Sequence, residues 1–449
     1  MSLFGTDGVR GTPGVAPLDA TTLQRLGAAI AWAVTGDTGS ARILVGRDTR
    51  ESGAWIIEQL GRGFSYAGAD AFDGGVLPTP AVAGLTRGGD FHAGVVVSAS
   101  HNPYQDNGVK VIAGNGEKAD DGLEGRISAR VAETTWSFGD DAVPRLTAVD
   151  LAEGYATQLA GAFASLAASS SLSLAIDCAN GAASQLAPDV LGRLGFDPLV
   201  LSNQPDGRNI NLDCGSTHPD ALARAVVEHG CRLGAAFDGD ADRVVFVDHR
   251  GTVVNGDAVL LIAARRLAQT GQLPGQAIVA TVMSNLGLER ALRADGITVH
   301  RCPVGDRSVW VEMQARGASL GGEQSGHIIQ SRLLPTGDGL ATALTILTAV
   351  AESGRDLADL AADLVPLPQV LVNARVGRRV PLDDLPGVTR AIADAEGELD
   401  GNGRVLVRYS GTEALLRVMV EGTDQATIER LAAGIADQAV AELGAARSE

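Results

Sequence analysis

From residue 42 to residue 351, short runs rich in Val, Ile and Leu alternate with Ala- and Leu-rich stretches of helical length, and this alternation limits what the chain can fold into. Apolar runs of four to eight residues bounded by turn residues read as strands, and longer Ala/Leu-rich stretches between them read as helices. The residues predict strands at 42–46, 91–97, 109–113, 172–178, 233–237, 244–248, 277–282 and 297–301. They predict helices at 52–66, near 185–194, from 285 onward and at 339–351. Such an order gives α/β architecture with mixed, largely parallel sheets. A Pro-punctuated stretch at 365–368 reads as a linker. Beyond it the order changes to strand, helix, strand, strand, helix, with 404–409 and 415–421 as the middle pair. The expected fold is therefore α/β: three similar mixed-sheet domains plus a smaller C-terminal α+β domain around a central cleft. The expected bounds are 1–152, 153–251, 252–367 and 368–449, in keeping with 449 residues at about 150 per domain.

Charge and cysteine content exclude several classes of function. The formal net charge is −18, which disfavours non-specific binding to nucleic acid or an anionic membrane. An anionic ligand would need cations gathered locally. The four cysteines, Cys178, Cys214, Cys231 and Cys302, lie far apart with no C-x-x-C pair, which argues against a zinc site or a secreted disulfide framework. The start reads as having no signal peptide, and no run of 18 apolar residues suggests a membrane span, so a cytoplasmic protein is expected.

Three times an apolar strand runs into a small polar loop from which a second strand emerges: GVVVSASHNP…NGVKVIA, LGAAFDGDADRVVFVD and ASLGGEQSGHIIQ. Ligand loops of open α/β sheets lie at the carboxyl ends of strands, so these loops, with a fourth in the tail, are expected to face one cleft. The plainer reading is that any α/β protein has polar loops after strands.

The middle loop carries the strongest chemistry. Asp238, Asp240 and Asp242 alternate with small residues, which lets the backbone curl and aim three carboxylates at one hard cation, Mg²⁺ or Ca²⁺, a solvated acidic turn being the plainer alternative. A twelve-residue calcium loop beginning at Asp238 fails, because Arg243 and His249 stand where Gly and Glu are required. With three carboxylates a further ligand must come from elsewhere, and Mg²⁺ commonly takes phosphate oxygens.

In the first loop Ser100 stands at a strand tip beside His101, as a nucleophile or phosphate carrier or as an ordinary turn serine. A hydrolase triad is disfavoured because no G-x-S-x-G elbow is present, and His101 would need an unusual bend to serve Ser100. The 36 basic residues include only two lysines, Lys110 and Lys118. Lysine can be tuned to exchange a proton, so Lys110 is either an acid/base group or a surface residue. In 321–327 (GGEQSGH), Glu323 and Ser325 could hold neighbouring sugar hydroxyls, a plain tight turn being the alternative, and His327 is read as structural. In the tail, Arg408 and Arg417 flank a Ser-Gly-Thr turn that reads as an anion cradle or a solvated hairpin. The turn at 5–11 places Arg10 as a phosphate contact but lacks the G-K-[ST] end of a P-loop.

Together and in this order, SASHNP, DGDADR, GGEQSGH and the SGTE loop resemble the α-D-phosphohexomutase superfamily. FGTDGVRG at 4–11, Val304-Gly-Asp-Arg307 and the SGTE form of the last loop are most similar to the bacterial phosphoglucosamine mutase subfamily. The resemblance spans essentially the whole chain. It implies reversible conversion of D-glucosamine 6-phosphate to D-glucosamine 1-phosphate through a phosphoserine and a 1,6-bisphosphate, feeding UDP-N-acetylglucosamine synthesis. It implies Ser100 as phosphoryl carrier, and Mg²⁺ held by Asp238, Asp240, Asp242 and the Ser100 phosphate. Glu323 and Ser325 would read sugar hydroxyls. Arg408, Ser410, Gly411, Thr412 and Arg417 would grip the non-reacting phosphate. Arg10, His101 and Lys110 would aid proton and charge movement, with Arg243 and His327 in support. One Mg²⁺ per chain, a glucosamine or glucose 1,6-bisphosphate activator, and a monomer or homodimer are expected. Ser100 would first be loaded by a kinase or by autophosphorylation. The competing readings are phosphomannomutase/phosphoglucomutase activity, a metal-dependent sugar-phosphate hydrolase, and a non-catalytic sensor. Two positions depart from the subfamily pattern: Ala414 where Pro is usual and Tyr409 where Lys is usual.

Overall fold

The computed structural model describes residues 3–5, 7–36, 40–133, 135–138, 143–169, 171–410 and 414–444. It contains two compact units: the chain up to Thr281 with Ile297–Asp363, and Val282–Gly296 with the chain from Leu364 onward.

The first unit is built on three mixed sheets. The first holds β1 (Val9–Gly11), β2 (Arg42–Arg47), β3 (Asp70–Val76), β4 (Ala93–Val97), β5 (Asn107–Ala113) and β6 (Leu146–Ala148), ordered β1-β5-β4-β2-β3-β6. The second holds β7 (Leu174–Asp177), β8 (Leu199–Leu201), β9 (Leu233–Phe237), β10 (Val244–Asp248) and β11 (Val253–Val254), ordered β11-β10-β9-β7-β8. The third holds β12 (Ala277–Thr281), β13 (Thr298–Cys302), β14 (Leu320–Gly322) and β15 (Ile328–Gln330), ordered β13-β12-β14-β15.

One device repeats in all three. A strand parallel to its inner neighbour (β4, β9, β14) turns back into an antiparallel partner (β5, β10, β15). The connecting loops are the three polar loops picked out above. β4 (AGVVV) and β9 (LGAAF) are buried at every position, as strands covered on both faces must be, and therefore read as unbroken apolar runs. Their loops are pinned by rigid walls on both sides.

Helix packing steadies the first sheet. The helices Ala20–Thr35 and Gly53–Tyr66 approach backbone to backbone, because a Cβ at Gly63 would lie 2.0 Å from the Gln24 carbonyl oxygen. Leu23, Leu26, Ile30, Ile56, Leu60 and Phe64 from these helices share one core with Ile43, Val45, Val95, Val97 and Val109 of the sheet. Asp19 caps the first of these helices by accepting from the Thr22 N–H at 3.1 Å.

The second unit follows the predicted order. Antiparallel β16 (Gln369–Arg375), β17 (Arg404–Tyr409) and β18 (Leu415–Glu421) run β16-β18-β17, with helices Pro386–Leu399 and Gln425–Leu443. Leu416, Val418, Val420, Val388, Ile428 and Ile435 form its core. The helix Leu286–Ala294 belongs to this unit although it lies far earlier in the chain. Asn285 explains the attachment: it caps the helix and also pairs with Leu367, donating to its carbonyl at 3.0 Å and accepting its N–H at 2.9 Å.

Most expected elements are present with ends shifted by one to three residues. The strand expected at 172–178 is Leu174–Asp177, and that expected at 109–113 starts earlier, at Asn107. Among the described residues no helix is long and apolar enough to cross a membrane.

Candidate active site

Ser100 sits in the β4–β5 loop with φ of 52°, a left-handed conformation that a non-glycine residue keeps only when its surroundings hold it there. The holding groups are buried. The Ser100 N–H donates to Ser98 Oγ at 2.9 Å, and Ser98 Oγ donates to Asp48 Oδ2 at 2.6 Å. Asp48 pairs with Arg50 at 2.9 Å, both side chains being 0% exposed. The Arg50 guanidinium then donates to the carbonyls of Ser100 (2.9 Å), Asn102 (2.8 Å) and Pro103. Asn211, from the second sheet's domain, donates to the Ser100 and Asn102 carbonyls at 2.9 and 3.1 Å. Burial pushes the Asp48 carboxyl above its ordinary range, although Arg50 and Ser98 pull it back.

This turn aims the Ser100 hydroxyl at the β9–β10 loop, where Oγ lies 2.6 Å from Asp238 Oδ2. Gly239 makes that approach possible: a Cβ there would lie 2.5 Å from the Ser100 carbonyl oxygen. Asp238, Asp240 and Asp242 are all buried and can each offer an oxygen within 4.8 Å of the others. Burial, reinforced by Asp242 and Asp240, pushes Asp238 well above the usual carboxylate range. Asp240 Oδ1 and Asp242 Oδ1 are buried without a hydrogen-bond donor. Carboxylate oxygens clustered, dry and short of donors suit a hard divalent cation such as Mg²⁺.

One lysine reaches the trio and a second stands beside it across Asp7. Lys110 Nζ lies 2.7 Å from Asp240 Oδ2 and 3.4 Å from Asp242 Oδ2 and Asp7 Oδ2. Burial works to strip its proton, but Asp240, Asp7 and Asp242 outweigh burial and hold its pKa well above the usual ammonium range. Lys118 pairs with Asp7 at 2.6 Å and with Asp306. Thus the only two lysines in the chain meet at one aspartate.

His101 Nδ1 stands 3.3 Å from Ser100 Oγ and 3.3 Å from an Arg243 Nη1. The sequence argued that adjacent residues would need an unusual bend to meet, and the left-handed turn at Ser100 supplies it. Burial, then Arg243 and Arg10, lower the His101 pKa, which favours the neutral ring. Arg10 pairs with Asp7 and donates to the Ala99 carbonyl at 3.1 Å. Arg243 also donates its backbone N–H to Asp238 Oδ1 at 3.1 Å.

In the β14–β15 loop, Glu323 is buried and accepts the Gly305 N–H at 3.1 Å, whereas Ser325 is exposed. His327 is buried, with Nε2 accepting the Gly337 N–H at 3.0 Å and Nδ1 3.6 Å from Asp242 Oδ1. Burial lowers its pKa but Asp242 raises it further, so the net shift is upward.

In the second unit Arg408 and Arg417 stand directly opposite each other on β17 and β18. Like charges across a ladder repel, and burial, with Arg417 beside it, lowers the Arg408 pKa. Ser410 is buried and its carbonyl accepts from Arg379 at 2.7 Å. Tyr409 locks to Val380, donating to its carbonyl at 2.6 Å and accepting its N–H at 3.2 Å. Gly411 and Thr412 lie outside the described residues.

Sequence reasoning did not single out Asp7, Asp48, Arg50, Thr79, Ser98, Asn211 or Asp306. Asp7 stood inside the GTDGVRG turn and Ser98 inside SAS, so both lay within motifs already noted. Asp306 likewise stood inside the stretch 304–307, and the remaining four carry no such signal, because the loop groups they hold lie 50 or more positions away.

Comparison with known proteins places the whole chain in one family and fold. Models of Phosphoglucomutase/phosphomannomutase match in four consecutive pieces: alpha/beta/alpha domains I, II and III over residues 1–138, 153–251 and 255–367, and the C-terminal domain over 371–438. The phosphoglucosamine mutase of Solibacter usitatus is 47% identical over 98% of this chain and 99% of its own. That of Granulibacter bethesdensis is 46% identical over 97% and 96%. A crystal structure of a phosphoglucomutase/phosphomannomutase family protein from Burkholderia thailandensis superposes with a TM-score of 0.79 at 24% identity, covering 99% of this chain and 98% of that one. The Aspergillus fumigatus N-acetylphosphoglucosamine mutase in complex with GlcNAc-6P and magnesium shares the fold, with a TM-score of 0.69 at 18% identity over 97% and 95%. Identity of this extent over nearly the full length, on a fold whose serine and aspartate loops meet, establishes that the chain belongs to the phosphoglucosamine mutase family.

Proposed function

We propose that this chain interconverts D-glucosamine 6-phosphate and D-glucosamine 1-phosphate, with phosphorylated Ser100 as the donor and a glucosamine 1,6-bisphosphate between the two half-reactions. The observation that carries the reading is the 2.6 Å approach of Ser100 Oγ to Asp238 inside a buried aspartate trio. The choice of the amino sugar rests on the family.

Asp238, Asp240 and Asp242, with an oxygen of the Ser100 phosphate, would hold Mg²⁺. Bound there, the ion would neutralise phosphate charge and act as a Lewis acid on the transferred group. The chain's own groups do the rest. Arg50, Ser98 and Asn211 fix the turn, so the seryl oxygen meets the sugar with little reorganisation. A phosphoserine carries about −1.5 to −2 at neutral pH, and Lys110, Arg10 and Arg243 stand around the loop to balance it. A neutral His101 at 3.3 Å can take a proton from a hydroxyl approaching Ser100 and return it in the reverse step. Glu323 and Ser325 are assigned to the sugar hydroxyls, with His327 in support beside Asp242. Arg408, Ser410, Gly411, Thr412 and Arg417 are assigned to the phosphate that is not transferred. The domains 1–152, 153–251, 252–367 and 368–449 would thus supply the carrier, the metal site, the sugar reader and the phosphate grip. A 1,6-bisphosphate of glucosamine or glucose would load Ser100 in place of a kinase.

The test is to incubate the protein with glucosamine 6-phosphate, Mg²⁺ and catalytic glucose 1,6-bisphosphate, and to follow the 1-phosphate by phosphorus NMR. The 1-phosphate should accumulate without net inorganic phosphate, and Ser100→Ala should abolish it while leaving the protein folded. Net phosphate release, faster turnover of glucose or mannose phosphates, or an active Ser100→Ala variant would each overturn the proposal.

A further inference from the structure

Asp240 presents its two carboxylate oxygens to different surroundings. Oδ2 accepts two hydrogen bonds, from Thr79 Oγ1 at 2.6 Å and from Lys110 Nζ at 2.7 Å. Oδ1 is buried and has no donor. Thr79 also donates its backbone N–H to the Asp240 carbonyl at 3.0 Å, so one residue grips the aspartate at both main chain and side chain.

Thr79 is held stiffly enough to do this. It is 0% exposed and is the first residue of the helix Thr79–Gly88, between Pro78 and Pro80. Prolines on both sides restrict the local backbone, and a β-branched side chain has few rotamers. Its hydroxyl proton is committed to Asp240. Thr79 follows β3 in the first sheet, while Asp240 lies 161 residues later in the second.

We propose that Thr79 is a positioning residue for the metal site: by occupying Asp240 Oδ2 together with Lys110, it leaves Oδ1 as the single oxygen this aspartate gives to Mg²⁺. The inference rests on the metal reading above and deepens it. Without the hydroxyl, Lys110 alone would define the orientation. The carboxylate could then turn about its Cβ–Cγ bond and set the ammonium against the ion for the same oxygen. Groups that orient a ligand from behind commonly change metal affinity by about 10- to 100-fold when removed.

The experiment compares the full-length wild type with Thr79→Val, which keeps shape and loses the hydroxyl, and with Thr79→Ser, which keeps the hydroxyl. Metal-stripped proteins are titrated with MgCl₂ by calorimetry and with MnCl₂ by electron paramagnetic resonance, and mutase kcat is measured against Mg²⁺ concentration. Thr79→Val should bind both ions about tenfold more weakly or worse. Thr79→Ser should stay within about threefold of the wild type, and most of the lost kcat in the valine variant should return at saturating Mg²⁺. If Thr79→Val fails to fold, Thr79→Ala carries the same comparison. Equal metal affinity in wild type and the hydroxyl-free variants overturns the inference, as does equal weakening in the valine and serine variants. Failure of the wild type itself to bind either ion refutes the metal reading, a separate outcome.

Discussion

Replacing Gly239 with alanine adds one methyl group at the contact between the serine and aspartate loops. The new Cβ would lie 2.5 Å from the Ser100 carbonyl oxygen, 2.9 Å from Ile210 Cδ1 and 3.0 Å from Asn211 Nδ2. Ordinary contact begins at 3.4 Å, so the loops must separate by about 0.9 Å. The Ser100 carbonyl cannot give way cheaply, because Arg50 and Asn211 both donate to it at 2.9 Å. A shift of that size moves Ser100 Oγ, now 2.6 Å from Asp238, to or beyond the limit of a hydrogen bond. Misplacing a reacting group by about 1 Å costs on the order of 10²-fold in rate, whereas overpacking costs about 1–3 kcal/mol in stability. We therefore expect Gly239→Ala to fold, to lose a few degrees of Tm, and to lose about 10²-fold in kcat by phosphorus NMR at saturating Mg²⁺. A folded variant with kcat within about threefold of the wild type would refute the reasoning, since the loops would then not need this close approach.

Arg50→Met should destabilise the first unit by about 3–5 kcal/mol in denaturant unfolding, because it leaves the fully buried Asp48 carboxylate unpaired; a change below about 1 kcal/mol would show that the pair matters little. Burial pushes the Asp338 carboxyl up to about 6, although it accepts from the Ala341 N–H at 2.9 Å and the Tyr155 hydroxyl at 2.7 Å. The folded state thus holds a proton that the unfolded chain releases near 3.8, so this group stabilises the fold below that value and loses its contribution as pH rises through about 6. Asp338→Asn, which keeps the cap on the helix Gly339–Ser353, should gain on the order of 3 kcal/mol relative to wild type between about pH 4 and about pH 6.5; a parallel pH profile contradicts the assignment. Gly125 is an exposed position inside the helix Asp121–Val131, with nothing within 4 Å of the place a side-chain methyl would take. It should accept alanine with a gain of about 0.4–1 kcal/mol in denaturant unfolding, and a loss of stability would show a hidden contact.

The site was legible where its chemistry is local. Asp238, Asp240 and Asp242 pointed to a cation because alternate carboxylates in one tight loop can converge, and the structure buries all three within reach of one another. The hairpins holding Ser100, the aspartates and Glu323 were visible as apolar runs on either side of polar loops. The rarity of lysine drew attention to Lys110, but not to Asp7, the aspartate it shares with Lys118. His101 was judged poorly placed for Ser100 because ordinary backbone would carry it away, and no composition rule foretells a serine at φ 52°.

Residues acting across long separations gave no such signal. Asp48 and Arg50 look like any polar pair after a strand, and Thr79 like any turn residue between prolines. Their roles arise only when β2, β3 and β4 stand side by side in parallel register and bring their carboxyl ends to one edge. The amino-acid order by itself marked the longer apolar strands, several helices and the polar loops between strands, since periodicity and turn chemistry act over a few residues, but not β1, β3, β6, β8 and β11 or the helices Ala20–Thr35 and Thr79–Gly88. Tertiary structure alone decided which oxygen of Asp240 stays without a donor, why Lys110 keeps its proton, and how Ser100 reaches Asp238. Desolvation and Coulomb energy in a buried site depend on distances between groups more than a hundred positions apart, and a one-dimensional pattern does not contain those distances.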